Sequence, residues 1–247
     1  DEPASWRPGR RRRWLALAAS LVVAVCAALW FAGEGGTLIE TAVGENRSLR
    51  LDDGSRVTLG GGTQIRVAFG DGARRIDLLR GEALFVVAQE TARPFSVDAG
   101  QATIRALGTE FNVRRGSDRV VVAVIEGRVS VGSARPGKHR PVRLDAGEQT
   151  SVDAQGVLAP PQPADIESAI GWRSGRLTFR GEPLRYVAED VNRYAARPVH
   201  IGDAATGDLK FTGTVLHDNV PGWIESLHSV FGIRAIEQPD GIVLIAE

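Results

Sequence analysis

The residues best suited to chemistry lie in "ALGTEFNV", Ala106 to Val113. Ile104 and Ala106 share one parity along the chain, whereas Leu107, Phe111 and Val113 share the other. Strand side chains alternate between faces, so a change of parity requires a bulge, a bend or a turn. The slip falls at Gly108, the residue type most tolerant of unusual backbone angles. Thr109 sets a hydroxyl beside the same peptide bond. Two readings follow: a β-bulge with a glycine for packing, or a strained bond placed for attack by the Thr109 hydroxyl. A hydroxyl is a weak nucleophile without a neighbouring base or an oxyanion stabiliser, and nothing in the sequence identifies the base. Backbone strain of about 1–3 kcal/mol is the help a sparse conformation can supply.

Other reactive residue types form no comparable pattern. His139, His200, His217 and His228 lack zinc-ligand spacing and have no cysteine partners, so no metal site is expected. Gly60 to Gly62 lack the GK[ST] ending of a phosphate loop and read as a turn. Glu82 and Glu126 each stand beside a glycine at a strand end, where capping or solvated turn positions are expected rather than a carboxylate pair. No cofactor and no turnover enzyme is implied. Net charge is zero, which argues against nucleic acid as a direct partner, since that needs a broad basic surface. The single cysteine, Cys26, excludes an internal disulfide framework.

The elements that position these residues begin with "WLALAASLVVAVCAALWFAG", Trp14 to Gly33, which carries no charge. A run of about 20 apolar residues matches the hydrocarbon thickness of a bilayer. Arg10, Arg11, Arg12 and Arg13 stand before it, with Glu34 and Glu40 behind, so the positive-inside rule keeps residues 1–13 cytoplasmic and exports the rest. Trp14 and Trp30 suit the interfacial aromatic belt. The run is longer than a signal-peptide core and ends without a good cleavage site, so an uncleaved single-pass anchor over 14–33 is expected. The chain opens on Asp1 and has no methionine, so a preceding segment is expected too.

From residue 34 to 158 the sequence reads as strands and turns, an all-β domain of sandwich, roll or solenoid type. Asp53-Gly54 and Asp71-Gly72 mark hairpins between alternating apolar residues. "APPQPAD" opens a linker over 159–171. Residues 172–247 read as a small α+β domain of two βαβ-like units. One helix opens near Pro183, with Leu184, Val187, Ala188, Val191 and Ala195 as its stripe; another opens at Pro221, with Ile224, Leu227, Val230 and Phe231 on one face and Gly232 as its stop. A last hairpin turns at Asp240-Gly241. Its final strand, with Ile242, Val243, Leu244 and Ile245, is either a candidate edge for pairing with a partner strand or a buried strand of the sheet.

In order along the chain stand Asp53-Gly54-Ser55 with Val57 and Leu59, "RGEALFVVA" at Arg80 to Ala88, and Pro94-Phe95-Ser96-Val97. Gly108-Thr109-x-Phe111-x-Val113, "EGRV" at Glu126 to Val129 and "LDAGEQ" at Leu144 to Gln149 follow. This ordered set resembles the FecR family of membrane-spanning sigma-factor regulators, over most of Val43 to Val152. Trp172 to Tyr194 resembles the small domain shared by secretins and TonB-dependent transducers. The resemblance implies an inner-membrane anti-sigma regulator with periplasmic carboxy-terminal domains. Its partners would be the signalling domain of an outer-membrane TonB-dependent transducer, periplasmic and intramembrane proteases, and an extracytoplasmic-function sigma factor held by a cytoplasmic domain before Asp1. It also implies self-cleavage between Gly108 and Thr109 by an N-to-O acyl shift, as in some members. The rival readings are a periplasmic small-molecule sensor, which needs an enclosed, polar-lined pocket in its β domain, and a membrane-anchored envelope-binding module.

Overall fold

The computed structural model describes residues 36–247 except 71, 91, 136–139 and 247. Arg10 to Arg13, the apolar span from Trp14 to Gly33 and His139 lie outside the described residues. Among the described residues, no helix is long and apolar enough to cross a membrane. The chain divides into Asp1–Thr37 and Leu38–Glu247, and the architecture below is that of the second unit.

The strands are β1 (Thr37–Glu40), β2 (Arg47–Arg50), β3 (Arg56–Leu59), β4 (Gln64–Phe69), β5 (Arg74–Val86), β6 (Phe95–Ala99) and β7 (Ala102–Ala106). Then come β8 (Glu110–Arg115), β9 (Arg119–Glu126), β10 (Arg128–Ser133), β11 (Val142–Asp145), β12 (Glu148–Asp153) and the short β13 (Gln162–Pro163). They form one curled sheet ordered β11-β10-β7-β6-β5-β8-β9-β12-β13, with β3 and β4 also bonded to β5. β5 makes the curl possible. Its first half pairs with β4 and β6, and its second half, beyond Gly81, pairs with β3 and β8. The Asp53-Gly54 hairpin forms as expected: Gly54 N donates to Leu51 O, and the Asp53 carboxylate accepts from Ser55 N and Oγ.

The curl encloses Val57, Leu59, Ile65, Ile76, Phe85, Phe95, Phe111 and Val131 at zero exposure. Phe85 stacks on Phe111 with centroids 5.2 Å apart. A buried cation staples the rim: Arg74 Nη1 meets Asp53 Oδ2 at 2.9 Å and also donates to the Ala88 carbonyl.

The rest of the chain comprises α1 (Ile166–Ile170), a 3-10 turn (Gly171–Ser174), β14 (Arg176–Pro183), α2 (Leu184–Val191) and β15 (Val199–Ile201). After these come α3 (Ala204–Asp208), β16 (Lys210–Leu216), α4 (Val220–Phe231), β17 (Ile233–Gln238) and β18 (Gly241–Ala246). α2 buries Leu184, Val187, Ala188 and Val191, the expected stripe. α4 is capped by Asn219 and stopped by left-handed Gly232. Its buried face is Val220, Trp223 and Leu227, whereas Val230 is exposed.

The two βαβ-like units do not stand as separate pairs of strands. β14 of the first bonds β16 of the second, antiparallel, while β15 runs parallel to β18. This exchange wraps both helices around a single core built on Trp172, Phe179, Val187, Phe211 and Leu244. It also corrects the expected edge. β18 is the central strand of β15-β18-β17, with Leu244 fully buried: Ile242, Val243 and Leu244 are paired on both sides, and Ile245 is paired with β17.

Candidate functional site

Leu107 to Thr109 link β7, which lies between β6 and β10, to β8, which lies between β5 and β9. The parity slip therefore marks a turn between two parts of the curled sheet, not a bulge within one strand. Leu107 is exposed and does not join Phe111 and Val113 in the core. A register shift does occur just afterwards, between Glu110 and Phe111 of β8 where they pair with β9. Gly108 has φ +71°, in the left-handed region that disfavours side chains.

Thr109 is 5% exposed, and its carbonyl accepts from Val87 N at 2.9 Å. Gly127 lies against it: a Cβ there would stand 2.8 Å from Thr109 Cγ2 and 3.2 Å from the Gly108 oxygen. Thr109 Oγ1 is buried with no hydrogen-bond partner. A buried polar atom left unpaired costs about 1–3 kcal/mol. The carboxylates of Glu110 and Glu126 come from residues facing each other across β8 and β9, but neither bonds that hydroxyl. The site thus supplies a desolvated, uncommitted nucleophile beside a left-handed glycine, without a side-chain base.

A second polar site lies where the β domain meets the helices. Glu82 and Leu84 sit on the face of β5 turned away from the β core, and Leu84 joins the second core. Glu82 is buried; its carboxylate accepts from Asn112 Nδ2 at 2.7 Å and from Arg193 Nη2 at 2.6 Å. Arg193 also meets Asp190 at 3.0 Å, and Asp190 pairs with Arg114. Trp172 Nε1 donates to Asn112 Oδ1 at 3.3 Å. Burial pushes the Glu82 carboxyl above its usual range, against the pull of Arg193 and Arg114.

The Gly60 to Gly62 turn seats the end of α2. Gly61 N donates to Tyr194 Oη, and Gly44 N donates to the Arg193 carbonyl. Tyr194 stacks on His217 with centroids 3.4 Å apart. Burial, then the nearby Arg193, hold His217 down to about 4, so its imidazole is neutral at pH 7. The joint is a lock of ions and stacked rings.

Residues 37–130, which include both Glu82 and the Gly108–Thr109 corner, match the model of the family described as FecR protein. The chain carries a FecR domain. Two crystal structures of a candidate anti-sigma factor from Parabacteroides distasonis ATCC 8503, at 2.50 and 1.65 Å resolution, are similar to it beyond that domain. They are 27% and 26% identical, with TM-scores of 0.75 and 0.76, and each match covers 85% of this chain and 99% of that one. No curated protein matches the chain.

The FecR domain brings Gly108, Thr109 and Gly127 together as one corner, while the lock around Glu82 was not singled out by sequence reasoning. Glu82 is a buried hub and not a solvated turn residue. One signal pointed to it: Asp190, a carboxylate interrupting the apolar stripe of α2, with Arg193 three residues on. Among the described residues, no group of histidine, cysteine or carboxylate side chains is placed to hold a metal.

Proposed function

We propose that this protein is a FecR-type anti-sigma regulator, anchored once in the inner membrane, that relays occupancy of an outer-membrane TonB-dependent transducer to a cytoplasmic extracytoplasmic-function sigma factor. The observation that carries this reading is the 85% coverage by the anti-sigma structures, which takes in more of the chain than the FecR match alone. The Glu82–Arg193–Asp190–Arg114 lock supports the relay, because a module bolted to the FecR domain passes on a pull instead of swinging free. The transducer's signalling domain docks on the carboxy-terminal module. The outer edge of β17, an end strand of its sheet that is exposed over residues 234–238, takes the strand-pairing role first expected of β18. The test is co-purification of the chain with purified transducer signalling domains, with and without Ile236→Pro. Capture lost on that substitution is expected; capture by none of the domains refutes the relay.

The same reading includes scission at Gly108–Thr109. Thr109 Oγ attacks the Gly108 carbonyl carbon, and the C–N bond breaks. The hydroxyl proton passes to the new Thr109 amine. Water then splits the ester into a Gly108 carboxylate and a restored hydroxyl. The uncommitted Oγ1 and the left-handed Gly108 support it. The halves stay joined, since β7 and β8 are each bonded to two other strands. Intact mass under denaturing conditions tests this: two pieces in the wild type and one in Thr109→Ala are expected, and one piece in both sinks it.

A further inference from the structure

A cleft of about 230 Å³ opens between the outer face of β9 and β12 and the roof made by α1 and β14. Its walls are built, and the charges on them are already matched. Arg119 meets Glu182 at 2.6 Å, Arg180 meets Asp165 at 2.6 Å, and Arg114 and Arg193 belong to the lock described above. An ionic ligand would have to displace one of these pairs. Three neutral side chains are left over, Gln149, Ser151 and Gln162. Thr150 and Val152 of β12 are buried, so Gln149 and Ser151 alternate outward into the cleft. Neither side chain makes a hydrogen bond among the described residues, and each can both donate and accept. Val121, Ala123 and Phe179 supply a carbon wall beside them.

We infer that this cleft binds a small neutral polyhydroxylated molecule of monosaccharide size. Paired ions leave no net charge to attract an ion, whereas an amide and a hydroxyl that donate and accept match sugar hydroxyls, and the carbon wall matches a ring face. The volume lies below the roughly 300–1,000 Å³ of sites for drug-sized ligands, which sets the size class. The cleft spans the joint between the FecR domain and the carboxy-terminal module, so an occupant stiffens the same connection that the ions lock. The inference does not depend on which transducer docks, or on any scission.

Calorimetric titration of the purified chain with D-glucose, with N-acetylglucosamine and with L-alanine tests it. Saturable one-to-one binding of at least one of the two sugars, and none of the zwitterion, is expected. Gln149→Ala should weaken that binding about 3–10-fold, the equivalent of one neutral hydrogen bond. Ser151→Leu should fill the cleft and abolish binding while leaving the unliganded melting temperature within a few degrees. Binding of neither sugar overturns the inference, as does alanine binding in their place, or sugar binding that both substitutions leave unchanged. Gln149→Ala keeps the test open if Ser151→Leu fails to fold.

Discussion

Gly62–Thr63 and Gly108–Thr109 begin as the same device. Each glycine is left-handed, with φ +60° and +71°, and each threonine is buried at the start of a strand. In each case a second left-handed glycine is pressed against the threonine, Gly81 within β5 or Gly127 just after β9. A register shift follows at once, between Gln64 and Ile65 in one and between Glu110 and Phe111 in the other. The hydroxyls then part ways. Thr63 Oγ1 donates to Glu82 O at 3.1 Å and accepts from Glu82 N at 3.0 Å, so both its proton and a lone pair are engaged. At the other corner the methyl of Thr109 faces the glycine, and the hydroxyl has nothing. The lesson is that a buried Gly–Thr corner is ordinary architecture. What distinguishes Gly108–Thr109 is the rotation of one side chain, which exchanges two hydrogen bonds for an unengaged nucleophile.

The first corner is also tied to the carboxy-terminal module through Glu82 and Arg193, whereas Val87, Gln89 and Gly127, which surround the second, all belong to the FecR domain. The largest test follows. Arg193→Ala strands Glu82 and Asp190 as buried charges with one partner fewer, a change that typically costs about 3–5 kcal/mol. Hydrogen exchange should quicken most at the Gly61 and Gly44 amides, which bond the module, and least at Val87, which bonds Thr109. Equal acceleration at all three would make the corners one mechanical unit and break the contrast.

Next in size are the pressed glycines. Gly81→Ala puts a methyl 2.7 Å from Thr63 Cα at φ +89°, where only backbone movement relieves it. A loss of about 2–5 kcal/mol is expected from the left-handed penalty plus overpacking. Gly127→Ala meets chiefly the Thr109 methyl, a side-chain atom, and should lose about 1–3 kcal/mol. Urea midpoints give both values. If Gly127→Ala proves the costlier, the Thr109 corner is the more rigid one, contrary to the geometry.

These contrasts were only half legible in the sequence. The hairpin at Asp53-Gly54 and the stripe of α2 could be read because turn chemistry and helical period are local. Gly108–Thr109 could be singled out because the parity change is local too. The dipeptide Gly62–Thr63 read merely as a turn, since the bonds that engage its hydroxyl come from Glu82, nineteen residues on. The same distance hid the role of the glycine turn as a seat for Arg193 and Tyr194. Strand exchange between β14 and β16 was invisible for a further reason: alternation fixes which face a strand buries, not which neighbour it bonds. That is why β18 read as an edge and proved central.

The smallest effect is the sharpest test, because its sign differs between the corners. Thr63→Val keeps the shape of the side chain and removes both bonds to Glu82, whose N–H and carbonyl then lose those partners where no water reaches. A loss of about 1–3 kcal/mol is expected. Thr109→Val replaces an unpaired buried hydroxyl by a methyl, so the desolvation penalty disappears and nothing else changes. Stability there should stay level or rise by about 1 kcal/mol. Both are read from urea midpoints at a common slope, on chains verified uncut by mass. A loss at Thr109→Val equal to that at Thr63→Val would mean that the Thr109 hydroxyl is bonded in solution, by water or otherwise. Its readiness to attack Gly108 would then have no basis, since an engaged hydroxyl at Thr109 would be no different from the bonded one at Thr63.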